Sequence, residues 1–152
     1  MSSAILQTES LRKVYSGGGL DTVALDNVEI KINSGEFIAI MGPSGSGKST
    51  LLNLIGALDS PTSGKIQIDG IETTTLNSAG LALLRNKKIG FIFQSFNLIS
   101  RFSALANVEL PLSILGVGPA ERKKRAYEML KMVGLEDRWK NNPNQLSGRQ
   151  QQ

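Results

Sequence analysis

Apolar side chains in the first two thirds of the chain follow three rhythms. Val28, Ile30 and Ile32 alternate with Glu29 and Lys31, and Ile66 and Ile68 alternate with Gln67 and Asp69. A period of two puts one face on a core and the other in water, which predicts half-buried antiparallel strands. Residues 5–14 are read as a further strand, joined to the next by the glycine-rich loop Ser16–Gly19. The second rhythm is continuous. Phe37-Ile38-Ala39-Ile40-Met41 and Ile89-Gly90-Phe91-Ile92-Phe93 have no polar interruption, as expected of strands covered on both faces in a parallel sheet flanked by helices. The third is helical: Leu51, Leu52, Leu54, Ile55 and Leu58 predict a helix ending near Asp59, before the turn Ser60–Gly64. Leu81, Leu83 and Leu84 predict a short helix within 78–87.

From Ser103 onward the pattern is helical throughout. Pro111 is expected to end or bend the first helix there, and Pro119 opens the next in the favoured first turn. Ala126, Met129, Leu130 and Val133 form the expected apolar face of that second helix, with Arg122 to Arg125 mostly on the wet side and Gly134 as its stop. A strand-rich start, a strand–loop–helix centre and a helical end predict an α/β core with an appended helical lobe.

Composition narrows the chemistry. The chain has 152 residues, 40% of them hydrophobic and 20% charged, enough for one compact domain with a real core. It has no cysteine and no histidine, so disulfides, thiolate or imidazole metal sites and a Ser-His-Asp triad are excluded within it. Met1–Ser10 reads as no signal peptide, and no apolar stretch approaches a membrane span. A soluble, cytoplasmic protein is the expectation. Charge is lopsided: residues 1–84 carry 5 basic and 8 acidic side chains, whereas residues 85–152 carry 12 and 5. Such a patch attracts nucleic acid or an anionic membrane surface, or is simply a solvated helix face.

The chemistry sits in Gly42-Pro43-Ser44-Gly45-Ser46-Gly47-Lys48-Ser49, which satisfies the phosphate-binding pattern G-x-x-x-x-G-K-[ST]. Glycines let the backbone curl its N–H groups toward phosphate oxygens, and the helix that starts there turns its positive end to the same anion. Lys48 reaches the β- and γ-phosphates, and the Ser49 hydroxyl is suited to Mg²⁺. Thr50 follows in the first helical turn. The dinucleotide pattern does not fit, because Gly45-Ser46-Gly47 is followed by Lys48-Ser49-Thr50 and lacks the third glycine. Nucleoside triphosphate, with Mg²⁺, is the implied ligand.

Three further segments, in this order, resemble motifs of the ATP-binding cassette (ABC) transporter ATPases. Tyr15 resembles the aromatic residue that stacks on adenine; Phe93-Gln94 resembles the Q-loop; and Leu146-Ser147-Gly148-Arg149-Gln150 resembles the signature LSGGQ. Ser103–Val108 is similar to the opening of the family's helical subdomain. The runs Arg85–Phe91, Phe96–Leu98 and Val108–Leu112 look closest to the branch serving lipoprotein release and macrolide-type efflux. The resemblance implies a P-loop core of the ABC type with an N-terminal antiparallel β subdomain over 1–95 and a partial helical subdomain over 96–152. It also implies that Gln94 contacts Mg²⁺ and the attacking water. Ser147, Gly148 and Gln150 would complete the site of a second ATP-binding subunit in a head-to-tail dimer. Hydrolysis of ATP would then drive a transmembrane permease at the inner face of the membrane, with no nucleic acid involved.

Two departures bear on activity. Arg149 stands at the signature's second glycine, where a long side chain is expected to obstruct close backbone approach, although a guanidinium also adds charge for a phosphate. The family's Walker B strand with its terminal Asp-Glu, the D-loop and the switch histidine have no counterpart in these 152 residues. Glu136-Asp137 is the one acidic pair after the phosphate loop, in reversed order, and reads as a solvated helix terminus. The expectation is an incomplete cassette truncated before Walker B. The alternative function is an inactive nucleotide-binding fragment. Either way the apolar faces of 37–41 and 89–93 would be left uncovered, with poor autonomous stability.

Overall fold

The computed structural model describes residues 4–152. The chain divides into two compact units, one ending at Ile89 and one spanning Gly90–Gln152. In the first, β1 (Ala4–Gly17) and β2 (Leu20–Asn33) form a long antiparallel hairpin, and β3 (Ser63–Ile68) and β4 (Ile71–Glu72) form a short one. The sheet order is β2-β1-β3-β4, antiparallel throughout.

β1 is not a simple alternation. Leu6 and Thr8 face the core, Ser10 then adopts φ 45°, and Leu11 returns to the core three residues after Thr8. The register slips on both neighbours here, as a bulge requires. One inserted residue re-phases the strand, which is why residues 5–14 look mixed in sequence. Buried Thr8 is satisfied within the sheet: its Oγ1 donates to the Val28 carbonyl (3.0 Å) and accepts from the Ile30 N–H (2.9 Å). At Gly64 a Cβ would lie 2.4 Å from the Ser10 carbonyl oxygen, so β3 passes the bulge only with glycine there.

Two helices close the sheet's inner face. α1 (Lys48–Ile55) buries Leu51 and Leu54, and α2 (Ser78–Lys88) buries Leu84. These meet Leu6, Leu11, Leu25, Ala57, Ile66 and Ile68 in one core. Each leucine or isoleucine so removed from water contributes about 1.5–3 kcal/mol before entropy is subtracted. Asn77 caps α2 by accepting the Gly80 N–H at 2.9 Å, and Arg85, Lys87 and Lys88 suit the negative end of its dipole.

The two continuous apolar runs are not strands. Among the described residues neither 37–41 nor 89–93 joins a ladder, and Phe37 and Ile92 are 97% and 88% exposed. Ile40 and Ile89 alone in these runs pack against the core of the first unit. The reason is physical: a parallel strand exists through hydrogen bonds to its neighbours, and no described segment offers either run a parallel ladder.

In the second unit α3 (Ala104–Ile114), α4 (Pro119–Met132) and the short α5 (Gly148–Gln151) enclose a smaller core of Ala104, Leu105, Ala126, Leu130 and Leu146. Pro111 does not end α3, which runs on to Ile114; the Pro111 carbonyl accepts the Leu115 N–H at 3.2 Å. The apolar face of α4 is narrower than its spacing suggests. Ala126 and Leu130 are buried, but Met129 is exposed and Val133, 69% exposed, lies just past the helix. Arg122 is not on the wet side. It turns toward α3, 3.6 Å from the Glu109 carboxylate, and donates to the Val117 carbonyl at 3.3 Å.

Candidate functional site

The segment between β2 and α1 ends in a tight turn. The Ser46 N–H returns to the Pro43 carbonyl (3.3 Å), and Gly47 then precedes α1 with φ 86°. A Cβ on Gly47 would lie 2.6 Å from the Ala24 carbonyl oxygen and 2.9 Å from Leu25 Cδ2. Glycine is therefore required there twice, by the left-handed backbone and by the close approach of β2.

The first bond inside α1 runs from the Leu51 N–H to the Gly47 carbonyl (2.8 Å). The N–H groups of Lys48, Ser49 and Thr50 accordingly have no intrahelical acceptor. No side chain caps this helix, and its first turn contains no acidic residue. The positive end of its dipole is left uncompensated, the arrangement that suits an anion. Lys48 arches back over the loop. Its Nζ donates to the carbonyls of Gly42 (2.8 Å) and Pro43 (2.6 Å) and to Ser46 Oγ (3.4 Å). An ammonium, three amide groups without an intrahelical acceptor and a helix N-terminus thus lie within one short stretch, Gly42–Thr50. Ser49 is exposed at the same place.

Tyr15 lies near the end of β1, opposite Thr22 on β2. The residue is 43% exposed, and its hydroxyl donates to Asp59 Oδ2 at 3.0 Å. The Lys13 ammonium sits 4.9 Å from the ring centroid and pairs with Asp59 Oδ1 at 2.8 Å. Burial raises the Asp59 carboxyl. Hydrogen bonds from Lys13, the Ser60 amide and Tyr15, with the charge of Lys13, outweigh it and hold the group below its ordinary range. Sequence reasoning singled out Tyr15 but not Lys13 or Asp59, because their pairing depends on the path of the chain after α1.

Gln94 and the signature residues belong to the second unit. Gln94 is exposed in the turn closed by the Phe96 N–H on the Phe93 carbonyl (3.2 Å). Phe96 and Asn97 there have φ 61° and 53°. Ser147 and Gln150 form a capping box at the start of α5: Ser147 Oγ accepts the Gln150 N–H (3.4 Å), and Gln150 Oε1 accepts the Ser147 N–H (2.9 Å). A Cβ on Gly148 would meet only Phe96 Cζ, at an ordinary 3.8 Å. Packing in this unit therefore does not demand glycine at 148. Arg149 is exposed. No described helix is long and apolar enough to cross a membrane. Among the described residues no cluster of three acidic groups could cage a metal.

Comparison with known proteins agrees with this geometry. The family described as ABC transporter matches residues 25–152. The ABC transporter ATP-binding protein MJ0796 of Methanocaldococcus jannaschii is 52% identical over 97% of this chain and 65% of its own length. The macrolide export ATP-binding/permease protein MacB of Brucella abortus is 47% identical over 97% of this chain and 23% of its own. A dimeric structure of the cassette MJ0796 in a post-hydrolysis state, bound to ADP and Pi, superposes with a TM-score of 0.82 at 51% identity, over 96% of this chain and 65% of that one. The chain thus spans less than two thirds of the curated relatives it matches.

Proposed function

The chain belongs to the ABC transporter family, and from that premise we propose that it is the nucleotide-binding part of a transporter ATP-binding subunit of the MJ0796 and MacB type. The phosphate loop carries this reading: Gly47 forces the turn, the first amide groups of α1 have no intrahelical acceptor, and Lys48 is held across the loop on the Gly42 and Pro43 carbonyls. ATP binds with its β- and γ-phosphates at this loop and its base against Tyr15. Mg²⁺ fits as an ion carried by the nucleotide. Ser49 offers one exposed hydroxyl and no acidic cage is present among the described residues, which suits a cation held mainly by phosphate and water.

In the assembled transporter, Ser147, Gly148 and Gln150 face the nucleotide of a second ATP-binding subunit, and a permease is driven at the inner membrane face. Hydrolysis requires a carboxylate to hold the metal shell and another to orient water. These 152 residues contain no Asp-Glu pair ending an apolar strand and no histidine.

Photolabelling with 8-azido-ATP under competition tests the reading. ATP and ADP should compete while AMP does not, because the loop recognises the β-phosphate. Equal competition by AMP would contradict it.

A further inference from the structure

Lys13, Tyr15 and Asp59 form a cluster in which each touches the other two. An exposed tyrosine usually samples several orientations and gives up that freedom when a ligand stacks on it. Here the ring is fixed at two points. Its hydroxyl is bound to Asp59 Oδ2 at 3.0 Å, and the Lys13 ammonium covers one face at 4.9 Å. Asp59 is itself held: its Oδ1 accepts from Lys13 at 2.8 Å and from the Ser60 N–H at 2.7 Å. Lys13 also donates to the Ser60 carbonyl at 2.7 Å. The following residues are laced to β1, with the Thr62 N–H on the Arg12 carbonyl (2.9 Å) and the Val14 N–H on Thr62 Oγ1 (2.9 Å).

Asp59 lies three residues beyond Gly56, which caps the helix that begins at Lys48. One helix thus carries the phosphate anchor at its start and, just past its end, the carboxylate that fixes the aromatic ring.

We propose that Asp59 is a positioning residue for the nucleotide base: with Lys13 it pins the Tyr15 ring so that adenine stacks on the face opposite the ammonium. This rests on the reading of Tyr15 as the base platform. Lys13 blocks one face and leaves the other for the base. Pre-fixing the ring removes an entropic cost from base binding but not from phosphate binding.

Calorimetric titration of the 152-residue chain with Mg-ATP and with tripolyphosphate, which has no base, separates the two. Asp59→Ala should weaken ATP about five- to tenfold, in the range of one lost base–aromatic contact, and leave tripolyphosphate affinity within about twofold. Tyr15→Ala should do the same or more, and the double variant should be no weaker than Tyr15→Ala alone.

Wild-type ATP affinity in Asp59→Ala, with a loss in Tyr15→Ala, would overturn the positioning role and leave the platform standing. Additive losses, or equal loss of both ligands in Asp59→Ala, would also overturn it. If Tyr15→Ala binds ATP normally, the platform reading fails and the proposal fails with it. Should Asp59→Ala not fold, Tyr15→Phe decides the matter, since it removes one hydroxyl and spares the Lys13–Asp59 pair. It should lose ATP affinity with tripolyphosphate unchanged, and unchanged ATP affinity would refute the proposal.

Discussion

Gly45 and Gly47 both occupy left-handed backbone, φ 83° and 86°, yet they should not respond alike to alanine. At Gly45 a Cβ meets nothing within 4 Å, so only the backbone penalty of about 1–2 kcal/mol applies. At Gly47 the same penalty adds to a clash with the Ala24 carbonyl and Leu25. Urea unfolding should rank Gly47→Ala as the less stable variant, and equal midpoints would show that β2 can give way. Asp59 makes a pH prediction at the same scale. Its folded pKa is lowered, so its contribution is fully present above the ordinary aspartate value near 4 and is lost as pH falls through the folded value. The difference in melting temperature between wild type and Asp59→Asn should be constant at neutral pH and shrink only in acid. A gap that closes between pH 6 and 8 would contradict this.

Among the elements, those whose signals are local were legible in the sequence. Pro119 opening α4 acts through its own backbone and stands where the sequence puts it, and Ser147 caps α5 by the same kind of local bond. Ser147→Ala should remove the cap, at a cost of about 1 kcal/mol, and loosen α5, measurable as faster amide exchange at Gln150 and Gln151. Pro111 does not end α3, whose last turn continues past it to Ile114. The runs 37–41 and 89–93 failed for a different reason. Continuous hydrophobicity records a demand for burial, but a strand needs a partner ladder that the run itself does not encode. The phosphate-loop pattern is local, since its glycines, lysine and hydroxyl lie within eight consecutive residues. Lys13 and Asp59, 46 residues apart, met only in the fold.

For the whole molecule, the uncovered apolar surface dominates behaviour in isolation. Phe37 and Met41 in the first unit and Ile92 in the second are exposed on segments without ladder partners. Such surface favours association. Sedimentation of the 152-residue chain should show self-association that Phe37→Ser with Ile92→Ser reduces, whereas a monomeric wild type would contradict this. The basic excess of residues 85–152 lies partly on α4, where Arg125 is already paired with Glu121 at 2.6 Å.

The central claim is that the phosphate loop binds nucleotide, and Mg-ATP affinity of the wild type against Lys48→Ala tests it most directly. Saturable binding that Lys48→Ala abolishes, with circular dichroism unchanged, is the predicted result. Equal affinity in the two proteins would place the nucleotide elsewhere and remove the basis of the account.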